Sequence, residues 1–266
     1  MWWTILRISL QERLAYRADF VLGTLVRFLP IVTQVFLWYA VFDGMASSSI
    51  AGYTKENFVA YYLLTMVSRA FSSMPGLASQ IAGQIRSGDI KKYLTQPIDL
   101  LSFFFLGRVA HKLAYYAVST LPFALVFFLC RGFFSAGWPD IVTLAAFAAS
   151  LVMAFLLGFF LEASLGLVGF WFLEVSSLLF VYMLFNFFLS GHMFPLDMLP
   201  EPWKTLVHFT PLEYLAYFPA AVFLQKVTGW DLALRLLIEL GWVLFFMVLS
   251  RVLLQRGIKR YSGFGG

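Results

Sequence analysis

Long apolar runs alternate with short polar stretches along almost the whole chain. A helix rises 1.5 Å per residue, and about 20 mostly apolar residues cross the hydrocarbon core of a bilayer. The pattern predicts six spans, at about 19–42, 57–77, 103–131, 140–161, 164–190 and 231–254. The strand alternation of a membrane barrel is absent, and helices satisfy their own backbone in lipid. The fold class is therefore all-α, a polytopic membrane protein. Ahead of the first span, Leu6, Leu10 and Leu14 recur every four residues behind Trp2 and Trp3, with Arg7, Arg13 and Arg17 on the other side. That pattern predicts an interfacial helix over residues 1–18, the alternative being a plain extension of the first span. With no internal repeat and no linker, residues 1–266 read as a single domain.

Two polar stretches interrupt the runs. Residues 83–99 place Arg86, Lys91 and Lys92 beside Asp89 and Asp99, with Ile85, Ile90, Tyr93 and Leu94 interleaved. Gly88 can break or cap a helix and Pro97 can end one. The stretch, with its flanks 78–100, reads as an amphipathic helix–turn able to dock into a groove on another protein. Residues 191–230 are too polar and Pro-rich to span, with Pro195, Pro200, Pro202, Pro211 and Pro219, yet rich in Phe, Leu, Trp and Tyr. They predict two short re-entrant helices, which need protein or a water cavity to cover their backbone. An ordinary interfacial loop with aromatic anchors is the alternative.

Charge orients the chain. Arg7, Arg13, Arg17, Arg86, Lys91, Lys92, Arg108, Lys112, Arg251, Arg256, Lys259 and Arg260 fall on the side of the termini. Lys55, Arg131, Lys204, Lys226 and Arg235 fall on the other. The bias puts both termini and residues 83–99 in the cytoplasm and residues 191–230 outside.

Composition agrees. The 266 residues are 61% hydrophobic and 12% charged, where soluble domains carry about 25% charged residues. The net charge of +5 is spread over the ends of apolar runs, which suits anionic lipid headgroups and not nucleic acid. The single cysteine, Cys130, excludes an intrachain disulfide and a thiolate metal cluster. No cleavable signal peptide is expected, because Arg7 breaks the first apolar stretch.

Small residues recur every four positions in the fourth span: Ala146, Ser150, Ala154 and Gly158. That spacing lets helix backbones approach closely. Arg27, Arg69, Glu162 and Glu174 are ionisable residues within or near spans. Such residues face a bundle interior or an aqueous path, or else pair or snorkel. Snorkelling suits Arg27 and Glu162; Arg69 and Glu174 are the pathway candidates, with structural ion pairs as the alternative. Enzyme signatures are missing. His111, His192 and His208 are scattered, and the chain has no zinc-helix motif. Asp89 stands where a phosphate loop needs its Lys-Ser/Thr.

Three motifs together carry a resemblance. The stretch from Ile85 through Arg86-Ser87-Gly88-Asp89-Ile90 to Pro97 resembles the cytoplasmic coupling segment of bacterial ABC transporter permeases of the type-2 (ABC-2) exporter family. Residues 191–200, then Trp203 and Thr210-Pro211-Leu212-Glu213-Tyr214, are similar to that family's outer segment before the last span. The tail 257–266, with Tyr261 and Gly265-Gly266, is similar to the ending of one branch. The resemblance covers the whole chain with the same six-span layout. It implies a permease subunit of the bacterial inner membrane that pairs with a second permease, identical or paralogous. Two separate ABC ATPase subunits would supply ATP and Mg chemistry, with no cofactor on this chain. It assigns ATPase coupling to Ile85, Arg86, Gly88, Asp89, Ile90, Tyr93, Leu94 and Pro97. It assigns an outer gate to Phe194, Pro195, Leu199, Pro200, Trp203, Pro211 and Tyr214. The implied cargo is lipophilic or amphipathic: a drug, a lipid or a lipid-linked glycan. The rival reading is an ATP-independent secondary transporter or channel, which would usually show broken midplane helices or repeat symmetry. A membrane-embedded enzyme is a third, weakened by the missing catalytic residues.

Overall fold

The computed structural model describes residues 2–15, 22, 26, 29–44, 49–50, 52–134, 137, 139–172 and 174–261. Arg27 and residues 262–266 of the tail motif lie outside the described residues. The chain contacts group into two compact units, residues 1–66 with 101–138 and residues 67–100 with 139–266.

The first unit holds α1 (Trp2–Ala15), α2 (Leu29–Asp43), most of α3 (Lys55–Ser72) and nearly all of α6 (Leu100–Leu129). Aromatic packing builds its core. Trp38 stacks on Phe58 with ring centroids 4.3 Å apart, and Phe42 and Tyr53 meet the same Phe58 ring at 5.4 Å. The Trp38 indole N–H donates to the Tyr62 hydroxyl at 2.7 Å, so the buried polar tip finds a partner. Between α2 and α3 lies a two-residue antiparallel pairing, Ser49 opposite Thr54 and Ile50 opposite Tyr53. Gly52, at φ 78°, supplies the left-handed turn that an all-helical reading leaves out.

The second unit holds α4 (Leu77–Arg86), α5 (Lys91–Leu94), α7 (Ile141–Leu167), α8 (Ser176–Leu189), α9 (Trp203–His208), α10 (Tyr217–Phe223) and α11 (Gly229–Arg260). Asp140 caps α7, its carboxylate accepting the Thr143 N–H at 3.3 Å. The most extensive packing joins α7 to α11, followed by α7 to α4 and α7 to α10. Glycines make these approaches close. A Cβ on Gly166 would lie 2.7 Å from the Ala78 carbonyl oxygen of α4, and one on Gly257 would lie 2.2 Å from the Phe170 ring. The small-residue ridge is where burial concentrates, with Ser150, Ala154 and Gly158 all buried.

Three helices among the described residues are long and apolar enough to cross a membrane: Leu100–Leu129, Ile141–Phe170 and Gly229–Arg260. Ser176–Leu189 is a shorter apolar helix with no buried residue. One boundary differs from the sequence expectation. The fourth apolar helix does not stop near 161; α7 continues to Leu167 and tightens into a 3₁₀ turn, Val168–Phe170. Ser164 does not interrupt it because its hydroxyl donates back to the Phe160 carbonyl at 2.7 Å, within the helix. The helix breaks off at Trp171 and Phe172, and Glu174 accepts the Ser176 N–H at 2.9 Å where α8 starts.

Candidate functional site

Residues 83–99 form the helix–turn that their pattern predicts. The apolar face of α4, with Leu77, Ala78, Ile81, Ala82 and Ile85, is buried. Gly88 ends the helix at φ 83°, a left-handed conformation that glycine adopts without strain. Its N–H donates to the Ile85 carbonyl at 3.3 Å, and the Ile90 N–H reaches back to the Gln84 carbonyl at 3.0 Å. The Gln84 and Ile85 carbonyls at the end of α4 are thereby satisfied. The Ser87 hydroxyl donates to the Asp89 carboxylate at 2.8 Å, tightening the turn.

The candidate coupling residues divide by burial. Ile85 and Ile90 are buried and hold the turn onto the bundle, whereas Arg86, Asp89 and Pro97 are exposed. Gly88 and Tyr93 are half-buried, the Lys92 ammonium lies 5.3 Å from the Tyr93 ring centre, and Leu94 closes α5. Two ion pairs tie the stretch down: Arg86 to Glu174 at 3.1 Å, and Arg251 of α11 to Asp99.

Arg69 and Glu174, grouped by the sequence as pathway candidates, are not brought together. Arg69, near the end of α3, contacts His192. Glu174 sits in the exposed turn before α8 and pairs with Arg86. Hydrogen bonds from the Ser176 hydroxyl and N–H, with the Arg86 charge adding to them, hold the Glu174 carboxyl below the usual carboxylate range. Burial, reinforced by the Arg69 charge, pushes His192 down to about 3. Glu162 is half-buried on α7.

Residues 191–230 fold back on the second unit. The Tyr217 N–H donates to the Ser190 carbonyl at 2.9 Å, and Tyr217–Phe223 is buried throughout. The candidate gate residues form a graded set: Pro195 and Tyr214 are buried, Phe194, Leu199 and Pro211 half-buried, and Pro200 and Trp203 exposed. Leu199, Trp203 and Pro211 line an apolar cavity of about 770 Å³ together with Leu161, Tyr182 and Leu253. The proline-rich segment therefore shares one cavity with α7, α8 and α11.

Two buried carboxylates escaped the sequence reading. Glu213, in the 3₁₀ turn Pro211–Leu215, is 1% exposed and accepts from His208 at 2.5 Å, with Arg235 at 3.9 Å. Glu239, inside α11, is completely buried. The criterion that singles out Arg69 and Glu174 also applies to Glu239, which lies well within the last apolar run. Among the described residues no group of three or more His, Cys, Asp or Glu side chains is placed to hold a metal ion.

No curated protein matches the chain. A family model described as ABC-2 family transporter protein matches residues 28–265, nearly the whole sequence. Its apolar helices, capped 83–99 turn and folded-back 191–230 segment thus stand in a chain that belongs to the ABC-2 family of membrane transport proteins.

Proposed function

We propose that this chain is the membrane-spanning subunit of an ATP-driven exporter, coupled through residues 83–97 to a separate ABC ATPase. The observation that carries the reading is the capped turn at Gly88. It displays Arg86 at the end of α4, Asp89 in the turn and Lys91 at the start of α5, anchored by the buried Ile85 and Ile90. A rigid polar knob on a packed helix can transmit a push. The anchoring helix α4 meets α7 at Gly166, which lies against the Ala78 backbone and the Ile81 Cβ, so displacement of the knob is passed to the α7–α11 pair.

The rest of the reading follows from the family and the charge distribution. The chain crosses the inner membrane six times with both termini cytoplasmic, and α1 lies in the headgroup plane. Two ATPase subunits bind two permease chains, identical or paralogous. The exposed apolar face of α8, including Phe180, Phe185 and Phe188, suits lipid or that second chain. The cargo is lipophilic or amphipathic, in keeping with a cavity walled by apolar side chains and bordered by Trp203 and Pro211. Residues 194–214 gate its exit.

Affinity purification in mild detergent tests the reading. A co-purifying ATPase, lost on Gly88→Asp or Leu94→Asp while the permease stays inserted, supports it. A stable chain that retains no ATPase after gentle extraction and crosslinking favours an ATP-independent transporter.

A further inference from the structure

Glu239 lies ten residues beyond Gly229, about 15 Å along α11 at the helical rise. Its side chain is completely buried, and neither carboxylate oxygen has a hydrogen-bond partner among the described residues. From α7, Ser150 faces it outside hydrogen-bond geometry, with its own hydroxyl unpartnered. From the Pro211–Leu215 turn come Glu213 and Tyr214, both 1% exposed.

The surrounding donors are unevenly shared. His208, on α9, and Arg235, one turn earlier on α11, both address Oε2 of Glu213, at 2.5 Å and 3.9 Å. Arg235 is also held by Asp231 at 3.1 Å. Glu213 therefore has compensation for a negative charge, while Glu239 faces a hydroxyl and a second carboxylate. A carboxylate buried without a cation carries a desolvation penalty that protonation removes. A neighbouring carboxylate adds repulsion in the same direction.

We infer that Glu239 is a proton-binding site at the α7–α11 interface. A hydronium ion gives its proton to the Glu239 carboxylate and leaves water behind; Glu239 ends as the neutral acid, and no electron moves. The neutral acid can then donate to the Ser150 hydroxyl. Loss of the proton puts an uncompensated charge between two closely packed helices, and the interface relieves it by opening to water. The site goes beyond the exporter reading and holds whether or not an ATPase drives the chain. It would make the packing of the central helix pair respond to pH.

Infrared spectroscopy of the full-length chain with carboxyl-labelled glutamate, purified in mild detergent at neutral pH, tests this. The expected result is the carbonyl stretch of a protonated glutamic acid, lost in Glu239→Gln and kept in Glu213→Gln. The thermal midpoint of the wild type should fall as the pH is raised, and this slope should flatten in Glu239→Gln. The proposal is overturned by the absence of a protonated-acid band, or by a band that survives Glu239→Gln. It is equally overturned by a midpoint that follows sodium or potassium concentration in place of pH, which would mark a metal-cation site. Should Glu239→Gln not insert, Ser150→Ala decides: a shifted band places the acid beside Ser150, and an unshifted one overturns the assignment.

Discussion

Gly158 of α7 rests directly on the backbone of Ser72: a Cβ at Gly158 would lie 2.1 Å from the Ser72 carbonyl oxygen and 3.1 Å from its carbonyl carbon. The obstacle is main chain, which cannot rotate away. Gly158→Ala should therefore push the end of α3 off α7, at a cost of about 1–3 kcal/mol typical of overpacking. Ala154→Gly on the same ridge only removes a methyl group and should cost less. Thermal midpoints of the two purified variants check the order; a Gly158→Ala protein as stable as wild type would contradict the close approach.

Gly257 offers a contrast. A Cβ there would meet the Phe170 ring at 2.2 Å, but the obstacle is a side chain. Pairing Gly257→Ala with Phe170→Leu should recover part of the stability that Gly257→Ala alone loses. A double-mutant cycle measures the recovery, and strict additivity would indicate that the two residues do not touch.

At the turn, Gly88→Ala should act locally. The residue sits at φ 83°, where an L side chain costs about 1–2 kcal/mol. The buried anchors Ile85 and Ile90 lie on either side and are untouched. The expected result is a small drop in the thermal midpoint with a larger loss of ATPase co-purification. Equal retention of the ATPase by Gly88→Ala and wild type would remove the turn geometry from the coupling argument.

The exposed pair Arg86–Glu174 should matter for position more than for stability, because solvent screens such pairs. The Glu174 carboxyl is held below the usual carboxylate range by Ser176 first and Arg86 after it. Its contribution is present above the ordinary carboxylate pKa and is lost as pH falls through the lowered value. Glu174→Gln should lower the midpoint slightly at neutral pH, converge with wild type in acid, and so weaken the acid-side decline. If ATP hydrolysis stimulated by transport also survives, Glu174 is a structural partner of Arg86 and not a pathway residue.

Much of this arrangement is legible in the sequence because it is local. Gly88 reads as a helix end, and the Ala146–Ser150–Ala154–Gly158 spacing reads as a close-packing ridge; both features arise within a few residues. The end of α7 is hidden because Phe170-Trp171-Phe172 continue the apolar run, and the Ser176 N–H at the start of α8 is taken by a Glu174 that composition marks as a span residue. Glu213 with Arg235, and Ser150 with Glu239, join residues far apart in the chain, and no periodicity reports such pairs.

His192 carries a pH prediction of its own. An imidazole ordinarily titrates near about 6.5, whereas burial and then the Arg69 charge push this one down to about 3. The folded protein thus keeps His192 neutral while an unfolded chain takes up a proton below its ordinary value. The stability this provides is complete above the unfolded pKa and declines as pH falls towards the folded one. His192→Gln, neutral at every pH, should remove that part of the acid-side slope while retaining a polar contact for Arg69. Arg69→Gln removes the second cause and leaves burial, so the slope should shrink without vanishing. Thermal midpoints across the mildly acidic range, for wild type and both variants, give the three slopes. A His192→Gln slope as steep as the wild type would show that His192 takes up its proton in the folded protein as readily as in the unfolded one.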